Sequence, residues 1–236
     1  MSRIEHIRSE EKKYHDLCYE NYKLFEAGSW LNKPVQSVMK LIPLFSKNER
    51  IKVLDLGCGV GRNSIPIAKA IREQNGLVTC VDLLDSAINK LKQYSIKHGV
   101  REVIQPVKSD IESFKIQNQE YDFIVAVSSL EHVQSIEDFE IVVRRMAKGT
   151  KMNGINCIIV NTEVEEIDIE ANEKLEALME INLSTEEMLN RIKDIYLDWE
   201  VIETIIKPLE YNITRNAKSL LLKTNAVTFV VKKIET

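Results

Sequence analysis

Val53-Leu54-Asp55-Leu56-Gly57-Cys58-Gly59-Val60-Gly61-Arg62 joins a strand-like stretch to a helix-like one. Residues 51–56 form an apolar run with one carboxylate, which is typical of a buried parallel strand. The three glycines at alternate positions allow the backbone to turn sharply and to approach a ligand closely. Helical spacing of apolar residues over 63–73 predicts a helix whose first N–H groups point towards that ligand. The stretch therefore predicts a nucleotide-type site at the carboxyl end of a first strand.

The spacing of the glycines indicates which kind of nucleotide is bound. A dinucleotide-binding loop has the pattern G-x-G-x-x-G. Counted from Gly57, the third glycine is replaced by Arg62, and counted from Gly59 it is replaced by Ser64. Asp55 stands two residues before the first glycine, where a carboxylate suits a cationic amino group better than a pyrophosphate. An NAD-dependent oxidoreductase is therefore the weaker alternative.

Composition and charge set the broad class of the protein. The chain has 236 residues, of which 44% are hydrophobic and 29% charged, as expected for a single α/β domain. A formal net charge of −4 gives no electrostatic footprint for nucleic acid. We read no signal peptide and no membrane-spanning stretch, so we expect a cytoplasmic protein. We also expect it to be a monomer or a homodimer. The four cysteines are far apart in the sequence, which favours reduced thiols and no metal site.

Strand-like and helix-like segments alternate along most of the chain. Strands are predicted at 51–56, 77–82, 103–107, 121–127 and 155–161, and helices at 63–73, 86–97 and 137–147. This alternation predicts a Rossmann-like, doubly wound, mostly parallel sheet in three α/β/α layers. Two late strands, 199–206 and 220–231, have no helix between them. They predict an antiparallel hairpin at one edge of the sheet.

The amino-terminal part, residues 1–48, is predicted to contain two helices. Five apolar or aromatic residues from Tyr14 to Phe25 recur at helical spacing, and Gly28 can end that helix. A second helix is expected to begin near Pro34 and to reach Ile42. Tyr22 and Trp30 on these segments are candidates for closing a ligand pocket.

Residues 163–183 are unusually acidic, with eight carboxylates and one lysine. Ser184 and Glu187 have capping-box spacing, so a helix should follow and end near Tyr196. We therefore interpret 163–196 as an acidic helical excursion over the acceptor side of the site. Two interpretations stay open for its charge: a solvated face, or a flap that disfavours anionic acceptors.

Polar residues also follow the other predicted strands. Asp82 ends the second strand, where a carboxylate can accept two hydrogen bonds from a ribose diol. Leu83 comes next and can pack on an adenine face. Val127 and Ser128 end the strand at 121–127, and His132 follows in the loop, either as a catalytic base or in a capping or packing role.

The region 50–160 resembles the class I S-adenosylmethionine-dependent methyltransferases, with Asp55 and the glycines as motif I. Residues 57–64 and 184–200 resemble the tellurite-resistance and thiopurine branch, whereas 128–132 look more like general small-molecule methyltransferases. The resemblance implies that Asp110 binds the adenine amine, that the following amide contacts the ring, and that Val127 and Ser128 lie beside the methionine part. The expected cofactor-binding residues are Asp55, Gly57, Cys58, Gly59, Gly61, Arg62, Asp82, Leu83, Asp110, Ile111, Val127 and Ser128.

This resemblance implies a reaction as well as a cofactor. S-adenosylmethionine would donate a methyl group to a small-molecule N, O, S or chalcogen nucleophile by in-line displacement, leaving S-adenosylhomocysteine. His132 is the candidate base. The alternative from another class is a non-catalytic S-adenosylmethionine-binding module. The loop after 121–127 lacks an N/D-P-P-Y/F sequence, which also points away from nucleic acid.

Overall fold

The computed structural model describes residues 2–215 and 218–235. The strands in this part of the chain are β1 Lys52–Leu56, β2 Leu77–Asp82, β3 Ile104–Lys108, β4 Tyr121–Val127, β5 Thr150–Asp168, β6 Glu173–Leu175, β7 Trp199–Arg215 and β8 Lys218–Lys233. The α-helices are α1 Arg3–Asn21, α2 Gln36–Met39, α3 Ser64–Ile71, α4 Asp85–Lys97, α5 Ile136–Gly149 and α6 Thr185–Ile195.

The strands form one sheet in the order β3-β2-β1-β4-β5-β8-β7, with β6 paired to β5. The first five strands run parallel, and β8 and β7 add an antiparallel edge. This confirms the predicted Rossmann-like sheet and its terminal hairpin. Because β2 and β3 lie on one side of β1 and β4 on the other, the sheet has a switch point between β1 and β4. A ligand crevice is expected above the carboxyl ends of these two strands.

Apolar side chains cover both faces of the sheet, which explains why the central strands lack polar alternation. Val53 of β1 belongs to the core under α3 and α4, whereas its neighbour Leu54 belongs to the core under α5 and α6. Phe139 of α5 and Ile192 of α6 are fully buried in this second core. The glycine loop and the end of β4 therefore lie between these two cores, which pack on opposite faces of the sheet.

The amino-terminal helix differs from the prediction. It begins at Arg3, where Ser2 and Glu5 form a capping box, and it ends at Asn21. Phe25 has a left-handed backbone (φ 66°) and lies outside the helix. The first half of α1 carries mostly charged residues, so hydrophobic periodicity could not detect it. The second predicted helix is only the short α2, between 3₁₀ turns at Trp30–Asn32 and Ile42–Phe45.

The acidic segment also differs from the prediction, because its first part is a strand. β5 continues to Asp168, and Glu166 to Asp168 pair with both β6 and β8. Val164, Glu166 and Asp168 are buried on alternate positions, as in a strand. The helix of this region is α6 alone, capped by Ser184 as expected. The late strands β7 and β8 are likewise longer than predicted, so the hairpin reaches beyond the sheet towards α1.

Candidate active site

The glycine loop follows β1 directly, and all three glycines have positive φ angles, +74° at Gly57, +53° at Gly59 and +96° at Gly61. A Cβ at Gly57 would lie 2.3 Å from Ser129 Cβ, and one at Gly61 would lie 2.6 Å from Leu91 Cδ1. Those two glycines are therefore required for packing within the protein. A Cβ at Gly59 would meet only the ring of Tyr19, with its hydroxyl at 3.1 Å. Gly59 is thus the position where the loop faces the crevice.

Asp82, at the carboxyl end of β2, holds the loop in place. Its Oδ2 accepts a hydrogen bond from Gly59 N at 2.8 Å, and its Oδ1 accepts one from Leu84 N at 2.9 Å. Burial raises the pKa of this carboxyl, and the backbone N–H groups oppose that shift. Each oxygen keeps a lone pair, so the carboxylate can still accept hydrogen bonds from a ribose diol.

Asp55 lies beneath the loop, with a side chain that is almost fully buried. Its Oδ2 accepts a hydrogen bond of 2.5 Å from Ser64 Oγ at the start of α3. Burial raises the pKa of Asp55 to about 6, although the Ser64 hydroxyl lowers it. Asp55 therefore ties β1 to α3 under the site. Whether it also contacts a ligand stays a prediction.

Two loop residues expected at the cofactor direct their side chains elsewhere. Arg62 donates from Nε to the carbonyl of Lys33 at 2.6 Å, and its guanidinium carbon lies 5.6 Å from the centre of the Trp30 ring. Cys58 is buried in the core, and burial raises its thiol pKa well above the usual value. Only the backbone of these residues is available to a ligand over the loop.

The remaining predicted residues stand at the ends of β2, β3 and β4. Leu83 is about half exposed beside Asp82, where an apolar surface is free. Asp110 Oδ2 accepts a hydrogen bond from Arg8 of α1 at 3.2 Å, whereas the Ile111 side chain packs towards the core under α5 and α6. Val127 packs against the opposite core. All of these residues thus share the carboxyl edge of the sheet with the glycine loop.

The turn after β4 carries a polar network that the sequence did not reveal. Ser128 has a left-handed backbone (φ 48°), and its hydroxyl accepts a hydrogen bond from Asn161 Nδ2 at 3.2 Å. Glu131 is completely buried, and its Oε1 accepts hydrogen bonds from the Asn161 backbone and side chain. Its Oε2 has no partner. Asn161 could not be identified in advance because β5 continues past it without a break.

His132 is held by an ion pair. Its Nδ1 lies 2.9 Å from Glu180 Oε2, on the acidic segment. Burial lowers the pKa of His132, but the Glu180 hydrogen bond and the nearby Glu131 and Glu11 carboxylates outweigh it and raise the pKa to about 9. An imidazolium has no lone pair with which to take a proton. The ionisation state therefore argues against the general-base role that the sequence suggested for His132.

Helix α1 crosses the carboxyl edge of the sheet and covers the crevice. Arg8 contacts Asp110 and Glu112 at one end, and Tyr19 reaches Gly59 at the other. His15 lies between them on the same helix face, and its ring packs edge-on against Trp30. Trp30 thus packs on α1 beside the glycine loop, and its role in closing a pocket stays a prediction. Tyr22 instead packs on Gly28 and is 41% exposed.

Basic residues from outside the acidic segment pair with several of its carboxylates. Glu166 accepts hydrogen bonds of 2.7 and 2.8 Å from Arg215, and Asp168 pairs with Lys218. Glu176 pairs with Arg3, at the start of α1. The segment is therefore an anchor for α1 and for the β7–β8 hairpin, and much of its charge is unavailable to an approaching ligand.

The chemistry of this edge fits S-adenosylmethionine. The polar groups at this edge are carboxylates, amides and hydroxyls, namely those of Asp82, Asp110 and Ser128, which were predicted, and of Asn161, which was not. Arg62 beside the loop is held by Trp30 and Lys33. A cationic nucleoside with a ribose diol matches this set, whereas a pyrophosphate would meet carboxylates. At Gly59 a Cβ would contact the side chain of Tyr19 and no backbone atom, so a ligand could approach the loop there if Tyr19 moved.

Comparison with known proteins defines the class. Residues 53–154 match the family model described as a methyltransferase domain. The sequence is 30% identical over 121 residues to the ubiquinone biosynthesis O-methyltransferase of Rickettsia canadensis, covering 51% of this chain and 47% of that protein. The protein of the same name from Rickettsia conorii is 29% identical over 110 residues, covering 46% of this chain and 34% of that protein. The chain thus matches less than half of each relative's length.

Solved structures share the fold of this chain. TehB from Haemophilus influenzae matches 93% of this chain and 67% of its own, with a TM-score of 0.64 and 23% identity. A SAM-dependent methyltransferase from Methanosarcina mazei matches 86% of this chain and all of its own, with a TM-score of 0.59 and 16% identity. At these identities the likeness concerns the fold. The chain therefore has the fold of S-adenosylmethionine-dependent methyltransferases, and its residues 53–154 match a methyltransferase domain.

Three further observations concern residues 2–215 and 218–235. None of the helices there combines the length and apolar character needed to cross a bilayer. No three side chains of His, Cys, Asp or Glu in these ranges are grouped so that they could hold a metal ion. The four cysteines are buried and unpaired, as expected.

Proposed function

We propose that this chain transfers the methyl group of S-adenosylmethionine to a nucleophilic atom of a small-molecule acceptor. Asp82 supports the proposal, because its carboxylate holds Gly59 N at the carboxyl end of β2, next to the switch point between β1 and β4, and can accept hydrogen bonds from a ribose diol. The curated relatives are named as O-methyltransferases, which favours a hydroxyl oxygen as the acceptor atom. Nitrogen, sulfur and chalcogen nucleophiles stay open.

The chain's own residues would bind, orient and shield the reactants. When bound, S-adenosylmethionine supplies a methyl group on a sulfonium, which is activated for in-line displacement. Asp82 would bind the ribose and Asp110 the adenine amine, after Arg8 has moved from it. Ser128 and Asn161 would lie beside the methionine part. Helix α1 would exclude water, and alignment of the acceptor would supply most of the acceleration.

The test is the formation of S-adenosylhomocysteine from S-adenosylmethionine with a panel of hydroxyl, amine and thiol acceptors. The wild-type chain should produce it with at least one acceptor, and Asp82→Ala should abolish most of that activity. Asp85→Ala is the matched control, because Asp85 is an exposed carboxylate whose partner is Lys108. No product with any acceptor, while the cofactor binds, would contradict the proposal.

One observation favours the second candidate, a non-catalytic S-adenosylmethionine-binding module. Arg8 donates a hydrogen bond to the Asp110 carboxylate, and Tyr19 covers Gly59, so α1 lies where a ligand would enter. A binding module could use this closure to report the cofactor. It would bind S-adenosylmethionine without ever converting it. A cytoplasmic location and a monomeric or dimeric state remain predictions for either candidate.

A further inference from the structure

His15 and His132 are the histidines that face the carboxyl edge of the sheet, and they differ in charge. His132 is paired with Glu180. His15 Nε2 lies beyond hydrogen-bond distance of the Glu11 carboxylate, at 3.7 Å, and its Nδ1 is buried without a hydrogen bond. Burial, helped by the positive charge of His132, lowers the pKa of His15 to about 4. The His15 ring is therefore neutral at physiological pH and can offer a lone pair.

The surroundings of His15 orient that lone pair. Its Nε2 lies 3.7 Å from Glu11 Oε2, one helical turn earlier, so the carboxylate favours the tautomer with the proton on Nε2. Nδ1 is then the acceptor nitrogen. Asp16 on the same helix also acts electrostatically on the ring, and His132 acts from the turn after β4. An unpaired buried nitrogen costs about 1–3 kcal/mol, so its retention calls for an explanation.

Aromatic rings surround His15. The centre of its ring is 5.5 Å from that of Tyr14, 5.6 Å from Tyr19 and 6.0 Å from Trp30. Tyr19 also reaches the glycine loop, with its hydroxyl 3.1 Å from the position of a Cβ on Gly59. His15 is thus one helical turn from the residue that covers the cofactor loop. Aromatic rings of this kind can pack against a flat aromatic acceptor that reaches His15.

We propose that Nδ1 of His15 is the general base for a hydroxyl-bearing aromatic acceptor, an inference that rests on the proposed function. The hydroxyl oxygen forms its bond to the methyl carbon with a lone pair, and the carbon–sulfur bond breaks with its electron pair left on sulfur. The hydroxyl proton goes to Nδ1. The products are a methyl ether, S-adenosylhomocysteine and an imidazolium, which releases its proton to water before the next turnover.

A weakly basic imidazole is sufficient for this step. A free phenol has a pKa of about 10, as for tyrosine. The acidity of its proton rises steeply as the oxygen bonds to carbon, because positive charge develops on that oxygen. The proton therefore becomes more acidic than the His15 imidazolium during the reaction, and transfer to Nδ1 becomes favourable within the transition state. An acceptor that is already an anion needs no base.

The experiment compares two acceptors of similar shape, phenol and 4-nitrophenol, above neutral pH, where the second is mostly ionised. His15→Gln should lower kcat for phenol by about 100-fold or more and change kcat for 4-nitrophenol by only a few-fold. In His15→Ala, added imidazole should restore phenol methylation. His98→Gln is the matched control, because His98 also has a buried unpaired nitrogen but lies beside Lys69 on the far end of α4.

The ratio of the two acceptors within one variant makes the result independent of how much protein is folded. An equal loss on both acceptors, or no loss on phenol, would overturn the role of His15 while leaving methyl transfer established. A wild-type chain that methylates neither acceptor would overturn the inference. If it also methylated no acceptor of the wider panel, the proposed function would fall with it.

Discussion

At the scale of single residues, the glycine loop and Asp82 could be predicted, because their roles depend on the local backbone, which the sequence pattern indicates. The alternate glycines and Asp82 were recognisable from spacing, and the structure brings them together through the Gly59 N–H. His15, Tyr19 and Asn161 could not be found in this way. Their positions depend on how α1 and β5 cross the sheet edge, which is a long-range property of the fold.

Asp82 gives the first prediction at this scale. Asp82→Ala removes an acceptor for Gly59 N and Leu84 N together with the expected ribose contact. Because hydrogen bonds to charged groups contribute about 1.5–3 kcal/mol, the dissociation constant for S-adenosylhomocysteine should rise by roughly 10- to 100-fold. Isothermal titration calorimetry measures it, with Asp85→Ala as the control. An unchanged dissociation constant would place the ribose elsewhere.

Asp55 gives a prediction in which one substitution preserves or raises the stability of the fold and weakens the binding of S-adenosylmethionine. Its pKa is about 6 in the folded protein and 3.8 when unperturbed, so its ionisation lowers the stability of the fold progressively as the pH rises from 3.8 to 6, and the full cost applies above pH 6. The cost is at most about 3 kcal/mol. Asp55→Asn should therefore unfold at no lower urea concentration than the wild type at alkaline pH. If Asp55 also meets the cationic amino group, the same variant should bind S-adenosylmethionine more weakly, and equal affinity would limit Asp55 to its structural role.

His132 gives a pH-dependent prediction. Its pKa is about 9 in the folded protein and 6.5 when unperturbed. A raised pKa stabilises the fold fully below pH 6.5, and that contribution is lost as the pH rises through 9. The loss should approach about 3 kcal/mol. Urea unfolding across this range should show the loss in the wild type and not in His132→Gln, whereas parallel curves would contradict the ion pair with Glu180.

At the scale of elements, helices and strands with a clear apolar pattern were predicted correctly, whereas those held in place by distant charged partners were not. The buried parallel strands, α3, α4 and α5 were predictable because each has a clear apolar pattern. The first half of α1 was missed because charged partners, such as Glu176 for Arg3, hold it in place. The last part of β5 was interpreted as part of a helical excursion because of its acidic charge, although its buried residues alternate as in a strand. Basic partners from distant segments make that acidic strand possible.

Arg215 tests how the hairpin and α1 are joined. Its side chain is 10% exposed and pairs with Glu166, which is 3% exposed, and with Glu11 of α1. Arg215→Ala leaves buried carboxylates unpaired and should lower the free energy of unfolding by about 3 kcal/mol. Lys223→Ala, which breaks an exposed pair with Glu210, should change it by less than about 1 kcal/mol. Equal effects in urea unfolding would show that Arg215 does not anchor α1.

At the scale of the whole molecule, the order of the sheet explains where the site lies. Alternating strands and helices predicted the parallel layers, and the late strands predicted the antiparallel edge. The carboxyl ends of β1, β2, β3 and β4 bring together residues 57, 82, 110 and 128, which are scattered in sequence. Composition could not predict the cover over this edge, because it is built from α1 and from charges that pair across more than a hundred residues.

The most direct measurement is calorimetric titration of the purified chain with S-adenosylhomocysteine, S-adenosylmethionine and NAD. We expect saturable binding of the two sulfur nucleosides, weakened in Asp82→Ala, and no binding of NAD. At a hundred times the dissociation constant, either nucleoside should also stabilise the fold by about 2.7 kcal/mol in thermal unfolding. Binding of NAD alone, or of none of the three, would contradict the assignment of this edge to S-adenosylmethionine.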